Sequence, residues 1–229
     1  MPGHRCYSPL SLSLSLSDIS FAVSVLARHL RNPLVGHLGA AKNLLRYIIN
    51  TKDLGITYSR SESNTFEIEG YCDSDYANLF MSGKQEILTR RSVTGFVFLV
   101  NGAPISWQSK KQITVARSTD EAEYQAMATA ASQALWLRKL LAEVHPPATK
   151  LQVFCDNQAA LEHVKNPGSK NKTKHVDIQH QFVLDRITRQ DLNFTWIPSE
   201  ENTADMFTKA LRRDSFVKLR EKLGLKVIA

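Results

Sequence analysis

The chain is poor in cysteine. Cys6, Cys72 and Cys155 are the only three among 229 residues, too few and too scattered for a disulfide framework or a zinc site. Cys72 and Cys155 are expected as buried free thiols in a reducing compartment. No stretch approaches the ~20 consecutive apolar residues of a membrane span. The start, Met1 to Ser17, alternates leucine with serine from Leu10 onward and lacks the continuous apolar core and cleavage region of a secretory signal. A low-complexity leader over residues 1–17 is therefore expected, on a chain that is intracellular (cytoplasmic or nuclear, not secreted) and has no membrane partner. Acid is also in short supply: 22 Asp and Glu stand against 29 Lys and Arg, a net charge of +7. That imbalance points to a polyanionic partner, most simply nucleic acid. No small-molecule cofactor is expected.

What is present suits a globular fold, with 43% hydrophobic and 22% charged residues. Ile19, Phe21, Ala22, Val25, Leu26 and Leu30 recur at helical spacing until Asn32-Pro33. Leu38, Ala41, Leu44, Leu45 and Ile48 line one side of a second helix, about 37–49. With the short strand 56–58, these make a helical connection segment over residues 18–64 that buries little by itself. From residue 65 the patterns change. Thr65 to Asp73, Ser92 to Asn101 and Pro104 to Val115 read as strands of an antiparallel meander, with Asn101-Gly102 as a hairpin turn. Ser118-Thr119-Asp120-Glu121 has the form of a capping box ahead of a long helix to about Val144. A strand at Leu151–Cys155, helices at 157–163 and 175–190, a strand at 192–197 and a helix at 201–211 complete the domain, residues 65–211. A basic helix is expected within residues 212–229. The order predicts an α/β fold: a five-stranded mixed sheet, strands 1–3 antiparallel and strands 4 and 5 parallel, flanked by helices. Right-handed crossovers place the fourth strand beside the first.

On that scaffold Asp73 and Asp156 end neighbouring strands ~4.8 Å apart. Cys72 and Cys155 then fall on the opposite, helix-covered face. Glu123 lies early in the long helix, and Asp205 early in the last domain helix. Such a cluster repels itself unless cations neutralise it, and two metal ions ~3.5–4 Å apart would make a phosphodiester-cleaving site. By spacing alone, four acids among 22 are read equally well as surface residues.

Motifs separate the readings. Gly70-Tyr71-Cys72-Asp73-Ser74-Asp75, Ile105-Ser106-Trp107-Gln108-Ser109-Lys110-Lys111-Gln112, Ser118-Thr119-Asp120-Glu121-Ala122-Glu123-Tyr124, Cys155-Asp156-Asn157-Gln158-Ala159-Ala160, Thr173-Lys174-His175-Val176-Asp177-Ile178 and Asn202-Thr203-Ala204-Asp205-Met206-Phe207-Thr208-Lys209 follow in this order. Together they resemble the ribonuclease H domain of copia-type LTR retrotransposon Pol polyproteins. Asp18-Ile19-Ser20-Phe21-Ala22-Val23 and Ala41-Lys42-Asn43-Leu44-Leu45-Arg46-Tyr47 resemble the segment that joins reverse transcriptase to it.

The resemblance implies a ribonuclease H-like fold and hydrolysis of the RNA strand of RNA–DNA hybrids. It implies two ions, Mg²⁺ or Mn²⁺, on Asp73, Glu123, Asp156 and Asp205, and a reverse transcriptase domain as partner. The family pattern selects Glu123 over Glu121, which points about 200° away on a helix. Asp75 is left as a turn residue. Contacts to the hybrid are expected from Asn157 and Gln158, from Arg90, Arg91, Lys110 and Lys111 beside the meander, and from Lys170, Lys172 and Lys174 in a basic loop. His175 is a further candidate, although a capping or surface role is its plainer reading. Residues 78–91 are longer than the family's usual connection, and nothing resembles a polymerase or integrase. The rival expectation is a non-catalytic nucleic-acid-binding or docking module surviving from a polyprotein.

Overall fold

A computed structural model describes residues 16–58, 68–78, 90–144, 151–165 and 174–228. The leader, most of the segment 78–91 and Lys170 and Lys172 lie outside the described residues. Among the described residues no helix is long and apolar enough to cross a membrane.

The five-stranded sheet runs β4-β3-β2-β5-β6. β2 (Ile68–Asp75), β3 (Val93–Val100) and β4 (Ala103–Lys111) form the antiparallel meander. Asn101 and Gly102 both take positive φ, 49° and 78°, as the tight turn between β3 and β4 requires. β5 (Leu151–Cys155) lies parallel to β2, and β6 (Leu192–Trp196) parallel to β5. Strand β4 stops at Lys111, earlier than the expected continuation to Val115. Gln112 turns inward there, and its side-chain amide donates to Thr94 Oγ1 and to Ala122 O, each at 3.0 Å. That pair of bonds ties the sheet to the start of α3 (Thr119–Val144).

Period-two alternation along each strand makes two cores. On one face Cys72, Phe96, Phe98, Val153, Cys155 and Phe194 pack under Met127, Ala130, Ala131 and Ala134 of α3. The small alanines let the helix approach the sheet closely. α4 (Gln158–Lys165) and α5 (Lys174–Thr188) flank that layer. On the other face Val97 and Leu99 meet Met206, Phe207, Leu219, Leu223 and Leu225.

The first helix of the connection segment is shorter than its pattern suggests, and the second is slightly longer. α1 (Ser20–Ala27) ends before Leu30, which is exposed. α1 packs on β4, where Ser24 and Ser109 share a 3.0 Å hydrogen bond. α2 (Val35–Asn50) buries none of its residues, and Leu38, Leu45 and Ile49 face outward. Beyond α6 (Arg213–Lys222) the chain forms a strand that was not anticipated, β7 (Leu225–Val227). It pairs antiparallel with β1 (Leu54–Ile56). Arg220 adds a 3.3 Å bond to the Tyr47 hydroxyl, which itself donates to the buried Asp18. The segment 220–227 is thereby fastened to Tyr47 and Leu54–Ile56.

Candidate active site

Strand register brings the first two acids together. The parallel pairs Glu69↔Gln152, Gly70↔Val153 and Tyr71↔Phe154 run toward the C-terminal end of both strands. Two more steps along the same register reach Asp73 and Asp156. Alternation sends Cys72 and Cys155 into the α3-side core, where both thiols are free and fully buried. Asp73 faces the opposite layer and is 2% exposed.

That layer supplies Asp205, in a conformation other than the expected helix over 201–211. Two 3₁₀ turns, Ser199–Glu201 and Thr203–Phe207, are separated by an extended Asn202 (φ −72°, ψ 102°). The cause is tertiary. Asn202 is fully buried, and its Nδ2 donates to Cys72 O at 3.0 Å and to Asp156 Oδ1 at 3.2 Å. Its Oδ1 accepts from Ala204 N at 3.1 Å and caps the second turn. A continuous α-helix would move Asn202 out of this extended geometry, leaving buried polar groups unpaired at ~1–3 kcal/mol each. Met206 and Phe207 anchor the turn in the second core, each burial contributing about 1.5–3 kcal/mol.

Asp73, Asp156 and Asp205 each place a carboxylate oxygen so that all lie within 4.8 Å of one another. Their protein partners are few. Thr208 Oγ1 donates to Asp73 Oδ2, and Ser199 Oγ to Asp156 Oδ2. Lys209 Nζ stands 3.0 Å from Asp205 Oδ1 and 3.7 Å from Asp73 Oδ2. The electrostatic cost is visible in the acids. Burial raises the Asp73 carboxyl; Lys209 opposes the rise and Asp156 adds to it. Burial and the Asp73 charge push Asp205 up to about 7, against the pull of Lys209.

Glu123 comes from the other layer. Ser118 caps α3 by accepting from Glu121 N at 3.2 Å, and the Glu121 carboxylate accepts from Arg117 N at 2.8 Å. Glu121 is thus committed to the cap. Two residues on, Glu123 is 4% exposed. It lies outside the group of three oxygens, but burial and then Asp73 hold its carboxyl well above the usual range. Its Oε2 has no hydrogen-bond partner among the described residues. A buried, unpartnered carboxylate oxygen beside three more acids is a donor set for hard divalent cations: oxygen throughout, with no sulfur or imidazole. The residues present fit such ions.

Asp75 is corrected from a turn residue to the last residue of β2, because it pairs with Val93 across the ladder. Burial and the nearby Asp73 raise it to about 6.

The structure brings one expected basic group to this end of the sheet. Asp75↔Val93 and Val93↔Lys111 are successive pairings, with Lys110 opposite Thr94. Gln112 N donates to Ser92 O at 2.8 Å, so the exposed Arg90 and Arg91 enter beside Lys110 and Lys111. Asn157 is drawn into the fold instead: its Oδ1 accepts from Ala160 N at 2.8 Å and caps α4. Gln158 is exposed and donates to Glu162 at 3.0 Å. Lys174 and His175 open α5. Asn202, Thr208 and Lys209 lie in the motif around Asp205 but carry no assigned role from sequence, and Ser199 lies outside it. Only the spacing of four between Asp205 and Lys209 hinted at a pair.

A mixed sheet in the order β4-β3-β2-β5-β6, with helices on it and carboxylates at the end of its central strand, defines a ribonuclease H-like domain. No family model matches the chain. The retrovirus-related Pol polyprotein from transposon TNT 1-94 of Nicotiana tabacum is 35% identical over 208 residues, 91% of this chain and 15% of that protein. The corresponding polyprotein from transposon RE2 of Arabidopsis thaliana is 32% identical over 219 residues, 93% of this chain and 14% of its own length. Among solved structures, LC11-RNase H1, isolated from compost by a metagenomic approach, aligns with TM-score 0.46 at 18% identity, over 66% of this chain and 96% of its own. The chain matches a stretch of these retrovirus-related transposon Pol polyproteins over nine-tenths of its own length, and spans about one seventh of the curated relatives it matches.

Proposed function

We propose that the chain is an endonuclease that hydrolyses the RNA strand of RNA–DNA hybrids, with two Mg²⁺ or Mn²⁺ ions held by Asp73, Glu123, Asp156 and Asp205. One observation carries the reading: three aspartate oxygens lie within 4.8 Å of one another at the sheet end, and the buried Glu123, whose carboxyl is raised by burial and then by Asp73 and Asp156, has an Oε2 with no hydrogen-bond partner among the described residues. Bound divalent ions there would polarise a water and neutralise charge on the leaving 3′ oxygen.

The chain's own groups prepare the site. Ser199 and Asn202 fix the Asp156 carboxylate, and Thr208 fixes Asp73. Each carboxylate oxygen accepts two bonds, so these contacts orient the acids without exhausting them. Arg90, Arg91, Lys110 and Lys111 flank the acids at the same sheet end and suit the phosphates of a duplex laid across it. Such contacts are sequence-independent; selection of a hybrid would come from 2′-hydroxyls and duplex shape. Lys170, Lys172, Lys174 and His175 are further candidate contacts to the hybrid.

In this reading residues 18–64 are a connection to a preceding reverse transcriptase domain and 65–211 the nuclease, in an intracellular polyprotein; the expected basic helix within 212–229 is limited to α6, with β7 after it. The test is Mg²⁺-dependent cleavage of an RNA–DNA hybrid by the chain and by Asp156→Asn. Activity in the first and a loss of at least ~10²-fold in the second is expected of a two-metal site. Equal cleavage by both, or hybrid binding without cleavage, refutes the enzyme and leaves a binding module.

A further inference from the structure

Among the described residues, Lys209 is the cation that forms ion pairs with the clustered acids, and it reaches them from just beyond the turn that carries Asp205. Its ammonium lies 3.0 Å from Asp205 Oδ1 and 3.7 Å from Asp73 Oδ2. Asp73 is 2% exposed and Asp205 is 8% exposed, so neither carboxylate has bulk water to screen it. The Lys209 side chain is 34% exposed, so it borders solvent as well as the acids. Thr208 next to it is fully buried and bonded to Asp73. The backbone is therefore pinned where Lys209 departs from it, and only the flexible four-carbon stem needs to move.

We propose that Lys209 is a built-in counter-cation: it occupies the acid cluster in the metal-free chain and is displaced when a divalent ion binds. It is a positioning residue. In the metal-free state it holds Asp73 and Asp205 together against their mutual repulsion. When an ion arrives, the same positive charge competes with it for the same oxygens. Metal loading thus exchanges one cation for another, and the cluster is never left bare. An ammonium carries three donors and no vacant orbital, so it neutralises the acids and cannot activate a water. While Lys209 sits there, the site is stable and chemically idle.

The inference rests on the metal-binding reading above, so the experiment separates the two. Mn²⁺ binding is measured by calorimetry and by electron paramagnetic resonance on the full chain, on Lys209→Met and on Lys209→Arg. Thermal melts in EDTA are run beside them, with Asp73→Asn and the double variant completing a cycle. Competition predicts that Lys209→Met binds Mn²⁺ about tenfold or more tightly than the parent chain, because a unit charge at ~4 Å is removed from the site. It also predicts a lower melting temperature in EDTA, a penalty that disappears in the Asp73→Asn background. Lys209→Arg keeps the charge, and should keep both the EDTA stability and the weaker metal affinity. A purely structural lysine predicts the same loss of stability but unchanged or weakened Mn²⁺ binding, which overturns the inference and leaves metal binding standing. Absence of Mn²⁺ binding by the parent chain sinks the metal reading and the displacement with it.

Discussion

Neutralising one acid should stabilise this protein when metal is withheld. The Asp205 carboxyl is held at about 7 against an ordinary value of 3.8, by burial and by Asp73. Each unit of displacement is worth 1.36 kcal/mol between the protonated and charged forms, which sets a ceiling of roughly 4 kcal/mol. Asp73 and Glu123 are raised as well, by burial first, with Asp156 adding to both; acids this close titrate together, so about 1–3 kcal/mol is expected for Asp205 alone. The sign follows from the direction of displacement. The folded state holds the proton more tightly than the unfolded chain, so the stability is complete below about pH 4 and is lost as pH rises through 7. Asp205→Asn imposes the neutral state at nearly constant shape. In EDTA at pH 8 its melting temperature should exceed that of the parent by about 3–8 °C for a chain of this size. Near pH 4 the two should melt together. Adding Mg²⁺ should reverse the order at pH 8, because only the intact acid set gains full stabilisation from ligand linkage. Differential scanning calorimetry across pH, with and without Mg²⁺, reads all of this. If Asp205→Asn melts below the parent at pH 8 in EDTA, the Lys209 contact outweighs burial and the electrostatic account fails.

Three further outcomes follow from the geometry. At Gly95, an added Cβ would stand 2.6 Å from Thr208 Cγ2, 2.8 Å from Phe207 Cβ and 3.1 Å from Ala204 O. Gly95→Ala should therefore push the Asp205 turn off the sheet, costing about 1–3 kcal/mol in urea unfolding and abolishing most hybrid cleavage. Asn202→Ala removes bonds to Cys72 O, Asp156 and Ala204 at once; a loss of about 2–4 kcal/mol is expected from the unpaired buried groups, with Mg²⁺ affinity falling alongside. Changing Lys110 and Lys111 together to Ala should leave single-turnover cleavage of saturating hybrid nearly intact. It should weaken hybrid binding and lower the salt-dependence slope by about 1–2, as counted phosphate contacts require.

Much of this was legible in the residues, for reasons that differ by element. Asp73 and Asp156 could be placed because each follows a strand whose alternation, with Cys72 and Cys155 one step earlier, fixes which face every side chain takes. The hairpin was legible in Asn101-Gly102, whose positive φ values few other pairs adopt. Glu123 could be told from Glu121 by family pattern, while the physical reason, a carboxylate spent on the helix cap, needed coordinates. The turn around Asp205 was misjudged as helix because its shape is dictated by a bond from Asn202 to Cys72 O, 130 residues away in the chain. Local propensity carries no trace of such a contact. Strand β7 was missed for the same reason. Three residues are too few for an alternating pattern, and their partner lies at the other end of the sequence. Lys209 was overlooked because a lysine four residues after an acid is ordinary on any surface, and only distance distinguishes this one.

The bond from Thr208 to Asp73 spans 135 residues, and that separation has a consequence for synthesis on the ribosome. A nascent chain that has released β2 and β5 can set Asp73 beside Asp156 and will already expose their combined charge. The groups that relieve it, Thr208 and Lys209, emerge later, and the β1–β7 clasp forms only after Val227 is free. The acid pair is thus assembled early and neutralised late. A stalled or prematurely terminated product ending before residue 208 would carry an unrelieved electrostatic penalty at the centre of its sheet, and should be held less firmly folded than its length alone suggests.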